Sequence, residues 1–254
     1  MKYLRQAIGF LTIFPVGFPG DFQPGDLGRA AAWYPFVGLL VGLLLCAGRF
    51  LFSRFFPDPL SAVLVVSIWA VLTGGLHLDG LADCCDGLLA SVPPERRLEI
   101  MRDPRLGTFG NVGLVLFLLL KISAVMAIPP AAVTWQPLIP LLLAPIISRW
   151  LILLAARQPL ARPGGLGAEF ALGVNRRTYL FAAILPLALV ALGGLRAVAA
   201  AFLAMAAATG VIRVARARLG GLTGDVLGLI VELGELAFLL VFAAFPGFAA
   251  PFFW

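Results

Sequence analysis

The chain has 254 residues, of which 61% are hydrophobic and 13% charged, against about 25% charged in soluble domains. With a mean hydropathy of +1.00, this excludes an ordinary water-soluble fold. The apolar runs are long and continuous, which favours spanning helices over the alternating strands of a barrel. The net charge of +6 does not signal nucleic acid, because the basic residues stand in short loops with no basic tract and no basic-aromatic surface pattern.

In chain order, Met1 to Phe14 is apolar with Lys2 and Arg5 and has no small-residue cleavage site, so it does not read as a signal peptide. Spans are predicted at 33–52, 60–76, 109–128, 138–155, 179–195, 197–212 and 226–246. Pro57 and Pro59 separate the first two spans, and Pro129, Pro130 and Pro137 separate the third from the fourth. Gly193-Gly194 marks a hairpin between the fifth and sixth. If the N-terminus is cytoplasmic, fourteen of the 19 Lys and Arg residues fall on the cytoplasmic side. Only Arg49, Arg54 and Arg196 fall in outer loops. Lys121 and Arg149 lie within spans, where they either snorkel or face a polar site. These readings predict an all-α, polytopic membrane bundle of about seven transmembrane helices with a cytoplasmic N-terminus. A single membrane-embedded domain covers 1–254. Cys46, Cys84 and Cys85 are odd in number and two are adjacent, so no disulfide framework is implied.

The acidic residues are concentrated. Of 13, six lie in 79–103 and three in 225–235. Asp79, Asp83 and Asp86 are spaced i, i+4, i+7, which puts three carboxylates on one helix face. Like charges so placed repel, and a divalent cation relieves the repulsion. Hard oxygen donors with one nearby histidine, His77, suit Mg²⁺ or Mn²⁺ over zinc. Further on, Glu99 and Asp103 are again i, i+4, while Arg97, Arg102 and Arg105 offer positive charge for phosphate oxygens. Near the C-terminus, Asp225 and Glu232 share a face. The glycine-rich stretch around Thr223 and Gly224 is placed to present backbone N–H groups to a phosphate at a helix start. Asp21, Asp26, Asp58 and Glu95 read as solvated carboxylates near span ends, and Cys84 and Cys85 as small packing residues.

Carboxylates, arginines and glycine turns on one membrane face suit metal-dependent phosphoryl-group chemistry. The competing class is a cation-coupled transporter whose intramembrane carboxylates form an ion site. Transporter sites are expected near the midplane, whereas these acidic segments flank spans on one side.

The runs Gly74-Gly-Leu-His-Leu-Asp-Gly-Leu-Ala-Asp83, Asp86-Gly87, Arg97-Leu-Glu-Ile-Met-Arg-Asp103 and Gly107-Thr-Phe-Gly110 resemble the signature of the cobalamin synthase (adenosylcobinamide-GDP ribazoletransferase) family. Pro35-Phe-Val-Gly38 and Gly221-Leu-Thr-Gly-Asp-Val-Leu-Gly228, with Glu232 and Glu235, continue the resemblance. It implies an Mg²⁺-dependent transferase of the bacterial inner membrane with a cytoplasmic active site. It also implies that adenosylcobinamide-GDP is joined to α-ribazole or α-ribazole 5′-phosphate with release of GMP. On this resemblance Asp79, Asp83 and Asp86 bind Mg²⁺ with help from Asp103 or Asp225, and Glu232 and Glu235 close the metal shell or bind the ribazole. Arg97, Arg102 and Arg105 hold the GDP phosphates. Asp83, Glu99 or His77 acts as base on the attacking hydroxyl. A homo-oligomer, or association with other late cobalamin enzymes, is compatible with it.

Overall fold

The computed structural model describes residues 1–17, 23–129 and 136–244. Asp21, Pro130 and the end of the predicted 226–246 span lie outside the described residues. The elements are α1 (Lys2–Leu11), α2 (Asp26–Ala30), α3 (Tyr34–Phe55), α4 (Asp58–Leu72), α5 (Leu76–Leu89) and α6 (Pro94–Ile100). They continue with α7 (Thr108–Met126), α8 (Ile139–Leu151), α9 (Gly165–Gly173), α10 (Arg176–Leu192), α11 (Gly194–Leu219) and α12 (Gly224–Ala244). Short 3-10 turns precede α3 and α8, and another runs on from α8 through Ile152–Arg157.

Each predicted span has its helix, but two of the seven are broken. Five helical stretches are long and apolar enough to cross a bilayer: Asp26–Phe55, Thr108–Met126, Ile139–Arg157, Gly194–Leu219 and Gly224–Ala244. The other two are bent pairs, α4 with α5 at 91° and α9 with α10 at 95°. With 15 residues, α4 extends only about 22 Å, short of the ~30 Å hydrocarbon core. Gly74 and Gly75, with φ of 60° and 70°, then turn the chain into α5. Leu116, Leu119 and Leu120 on α7 and Leu180, Ile184 and Leu187 on α10 are exposed, as lipid-facing side chains require.

Three boundaries differ from the sequence reading. The predicted 197–212 span extends to Leu219, because Arg213, Arg216 and Arg218 ride on the final turns of α11 and complement its C-terminal dipole. Residues 156–178, left between two predicted spans, contain α9. The N-terminal segment is a short amphipathic helix that buries Ala7 and Leu11 against Ala30, Ala31 and Tyr34.

Some charges lie elsewhere than expected. Asp26 is fully buried, ion-paired to Lys2 at 2.6 Å and to Arg29 at 3.2 Å. Arg49 is not an outer-loop residue; it is buried in α3, bound to Asp58 at 2.5 Å, Ser61 at 2.9 Å and the Ile128 carbonyl at 2.8 Å. Asp58 is therefore an ion-pair partner, although its side chain stays 42% exposed.

The bundle centres on α12, which packs against α5, α7, α8 and α11. Helices α3 and α8 meet where Gly38 and Gly42 face the backbone of Leu142, Pro145 and Ile146; a Cβ at Gly38 would come within 2.4 Å of Pro145 O. Lys121 and Arg149 do not snorkel. Lys121 Nζ lies 2.7 Å from Glu232 and 2.6 Å from Glu235, and 4.1 Å from the Trp69 ring centroid. Arg149 also pairs with Glu235. All four charges are at most 3% exposed.

Removing one member of such a network strands a charge in the core. Glu235→Leu is expected to lower stability by about 3–5 kcal/mol, measured by thermal unfolding in detergent. Exposed Glu95→Gln is the control. A midpoint equal to that of the parent would show that the network contributes nothing.

Candidate functional site

The site is built on α5. Its glycine start, Gly75, leads into a helix whose i, i+4, i+7 spacing presents Asp79, Asp83 and Asp86 along one face. Asp79, in the first turn, complements the helix dipole. At the other end, Arg97 Nη1 donates to the Gly87 and Leu88 carbonyls at 2.9 and 2.8 Å, and Arg218 Nη1 donates to Leu88 O at 2.6 Å. Arg97 is buried and spent as a C-terminal cap; its guanidinium is turned to α5 and not to a phosphate site.

Asp86 is also spent. Its two oxygens accept the backbone N–H groups of Gly107 and Gly110, each at 2.8 Å. Gly107 stands at the N-cap of α7 without a capping side chain of its own, so Asp86 supplies the cap from α5. A Cβ at either glycine would lie 2.4 Å from an Asp86 oxygen. The two glycines of the Gly107-Thr-Phe-Gly110 run therefore leave room for the Asp86 carboxylate.

Asp79 is exposed and Asp83 half-buried, and neither carboxylate has a hydrogen-bond or ion-pair partner among the described residues. Helix α12 brings them company. Gly80 faces the start of α12 so closely that a Cβ there would meet Asp225 O at 2.6 Å, and a Cβ at Gly228 would meet His77 O at 3.1 Å. Asp79, Asp83 and Asp225 come within Coulombic reach of one another. Thr223 caps α12, accepting from Val226 N at 3.4 Å and donating to Asp225 Oδ2 at 3.1 Å, and Gly224 opens the helix.

One member was missed by sequence reasoning. Leu222 N donates to Pro159 O at 2.9 Å and Ala161 N to Leu222 O at 3.0 Å, lashing the 159–161 loop to the segment before α12. Arg162 Nη2 thereby sits 3.4 Å from Asp225 Oδ2, while its Nη1 is buried without a partner among the described residues. Its only sequence signal was a basic residue before Pro163-Gly164-Gly165.

Other predicted residues are held elsewhere. Glu99 pairs with Arg96 at 2.5 Å in an exposed position. Asp103 accepts from Arg105 Nη2 at 2.6 Å and from Arg105 N at 3.0 Å, and these bonds hold its carboxyl down to about 2. Arg102 is exposed. No ion pair or hydrogen bond links these four to Asp79, Asp83 or Asp225 among the described residues. Glu232 is neutralised by Lys121 inside the bundle, which removes it from the cluster. His77 is buried on the wall of a cavity of about 150 Å³ that reaches Asp79 and Asp225. A larger groove of about 420 Å³, lined by Leu88 and the apolar faces of α11 and α12, offers no charged group for chemistry.

Among the described residues no three Asp, Glu, His or Cys side chains converge as a ready-made metal cage. Asp79, Asp83 and Asp225 instead form an open set of hard oxygen donors beside a guanidinium. That donor set fits Mg²⁺, which is usually held by one or two carboxylates and completed by substrate phosphates and water.

Comparison with known proteins settles the lineage. The family description "Cobalamin-5-phosphate synthase" matches residues 3–243. The chain belongs to the cobalamin-5-phosphate synthase family. It is 42% identical over 241 residues to the adenosylcobinamide-GDP ribazoletransferase of Ectopseudomonas mendocina, covering 94% of this chain and 97% of that one. The protein of the same name from Geotalea daltonii is 38% identical over 248 residues, covering 95% and 96%. That from Pseudomonas putida is 41% identical over 237 residues, covering 92% and 95%. No solved structure matches significantly. The stretch matched to the cobalamin-5-phosphate synthase family contains the whole cluster, from α1 to α12.

The geometry separates structural from chemical carboxylates. Gly110→Ala and Asp86→Ala are each expected to destabilise the protein by about 1–3 kcal/mol through unsatisfied N–H groups at α7, read as a lower unfolding midpoint in detergent. Asp83→Asn, which breaks no bond, is expected to leave the midpoint unchanged. The reverse ranking would exchange the two roles.

Proposed function

We propose that the chain is an adenosylcobinamide-GDP ribazoletransferase that joins adenosylcobinamide-GDP to α-ribazole or α-ribazole 5′-phosphate and releases GMP. This is the last assembly step of the adenosylcobalamin nucleotide loop. The relatives' printed names carry the activity, and the family description, with its 5-phosphate product, favours the phosphorylated acceptor. One structural observation carries the mechanism: two carboxylates without a partner among the described residues, Asp79 and Asp83, stand against the Asp225–Arg162 pair at the start of α12.

In this reading Asp79, Asp83 and Asp225 hold Mg²⁺, which when bound neutralises the diphosphate and stabilises the departing GMP. Arg162, whose buried Nη1 has no partner among the described residues, binds a diphosphate oxygen. The Thr223-Gly224 start of α12 adds backbone N–H groups on the same side. The acceptor hydroxyl oxygen attacks the phosphorus that bears the cobinamide arm. A new O–P bond forms, the bond to the GMP oxygen breaks, and the hydroxyl proton passes to a carboxylate. Asp83 is best placed as that base, since Glu99 is occupied by Arg96 and lies on exposed α6.

The bias of Lys and Arg residues supports a cytoplasmic N-terminus in the inner membrane. The site then faces the compartment that holds nucleotides. The transporter reading weakens for a physical reason: the charges buried within the bundle already pair with one another, Lys121 and Arg149 with Glu232 and Glu235.

The test is GMP release from adenosylcobinamide-GDP by the full chain in liposomes. Release is expected only with the ribazole acceptor, to vanish with chelator and to return with Mg²⁺. Full release under chelation would end the metal assignment. Asp83→Asn is expected to insert normally and lose about 10²–10⁴-fold in kcat; parent-like turnover at saturating Mg²⁺ would remove Asp83 from the chemistry. Arg162→Ala is expected to lower kcat/KM for adenosylcobinamide-GDP, and an unchanged value would exclude a phosphate contact.

A further inference from the structure

The groove between α11 and α12 takes no part in the phosphoryl chemistry. Its walls are apolar: Ala207, Gly210 and Val214 on α11, Leu233 and Leu240 on α12, and Leu88 at the end of α5. It follows α12 from Leu229 to Leu240, a length of about 16 Å, and holds about 420 Å³. Val214 and Leu240 are 45% and 39% exposed, so the groove opens outward from the bundle, toward the bilayer. A Cβ at Gly210 would meet nothing within 4 Å. Glycine weakens a helix interior, and no packing among the described residues requires it here. One end of the groove is cationic. Arg218 lies one turn beyond Val214 on the same face of α11. Its Nη1 donates to Leu88 O at 2.6 Å, and Arg97 Nη1 donates to the same oxygen at 2.8 Å. Two guanidinium groups thus converge on one carbonyl, and neither has an acidic partner among the described residues. The α5 C-terminus sets only about half a negative charge against the two positive ones. Arg97 is buried and Arg218 exposed, so Arg218 is the cation that a ligand can reach.

We propose that this groove seats an acyl chain of an anionic phospholipid whose headgroup phosphate binds Arg218. The ligand matches the site at both ends: hydrocarbon lies against leucine, and phosphate meets a guanidinium that lacks a carboxylate. A lipid with net negative charge is favoured over a zwitterionic one, because two cations are left in excess at the groove end. The competing occupant is a second copy of this chain. A symmetric dimer in a bilayer turns about the membrane normal, which brings Arg213, Arg216 and Arg218 of both copies to one depth. Like charges would then face each other across the contact, whereas a lipid phosphate neutralises them. Bound there, the lipid ties the end of α5, the helix that carries Asp79 and Asp83, to the end of α11.

The test is native mass spectrometry of the full chain released from detergent micelles that contain phosphatidylglycerol and phosphatidylcholine in equal amounts. The parent is expected to retain one phosphatidylglycerol, about 10-fold in preference to phosphatidylcholine. In Arg218→Gln this preference is expected to disappear. Gly210→Trp places a ring in the open space beside the glycine. It is expected to fill the groove and lose both lipids, while its unfolding midpoint in lipid-free detergent is no lower than the parent's. This variant breaks no contact, so it decides the matter even where Arg218→Gln, which also loses the Leu88 bond, unfolds. Equal retention of the two lipids by the parent, preference surviving in a folded Arg218→Gln, or lipid retained by Gly210→Trp would overturn the site. Displacement of phosphatidylglycerol by inorganic phosphate would overturn it in favour of a free-anion site on Arg218. A parent dimer that Gly210→Trp dissociates would overturn it in favour of an interface between copies.

Discussion

Two cations and two carboxylates sit where hydrocarbon would make any one of them intolerable alone. Lys121 on α7, Arg149 on α8, and Glu232 and Glu235 on α12 neutralise one another, with Trp69 of α4 offering its ring face to Lys121. Each ion is stable only while its partners stay in place. The network therefore fixes the rotation and axial position of α12 against α7 and α8. Apolar packing in a bilayer is a weaker constraint on register, since lipid tails are as apolar as the side chains they would replace.

What happens at the end of α12 follows from that register. Gly228 and Gly80 let α12 and α5 touch at backbone distance, and Asp225 arrives beside Asp79 and Asp83. The same pair of helices thus carries carboxylates in two electrostatic states. Those in the bundle interior are matched by cations and serve architecture. Those at the end face one guanidinium, from Arg162, and keep coordination capacity for a ligand. The α1–α2–α9 corner completes the arrangement: Gly25 N donates to Glu169 at 2.8 Å, and Phe170 is held beside Tyr34.

Much of this was legible in the residues. Apolar runs located all seven helical segments, and the i, i+4, i+7 spacing put Asp79, Asp83 and Asp86 on one face. Other features were not legible, because their partners are remote in sequence. Asp86 was grouped with the metal ligands because its spacing is the same as theirs; only the fold shows that it caps α7, 21 residues away at Gly107. Arg97 looked like a phosphate ligand because a basic residue near an acidic cluster does, and it caps α5 instead. Glu232 shares a face with Asp225, yet Lys121, 111 residues earlier, claims it. Arg162 was passed over because nothing local announces that a loop will be tied to Leu222.

The sequence by itself determined that the chain is a helical membrane protein, where its helices lie, and which residue types gather near its chemistry. Those properties come from transfer free energy and helical period, both of which are local. Only the tertiary structure decided which charges are neutralised and which remain available. That choice depends on distances between helices, and in a low-dielectric interior a few ångströms separate a paired carboxylate from an open one.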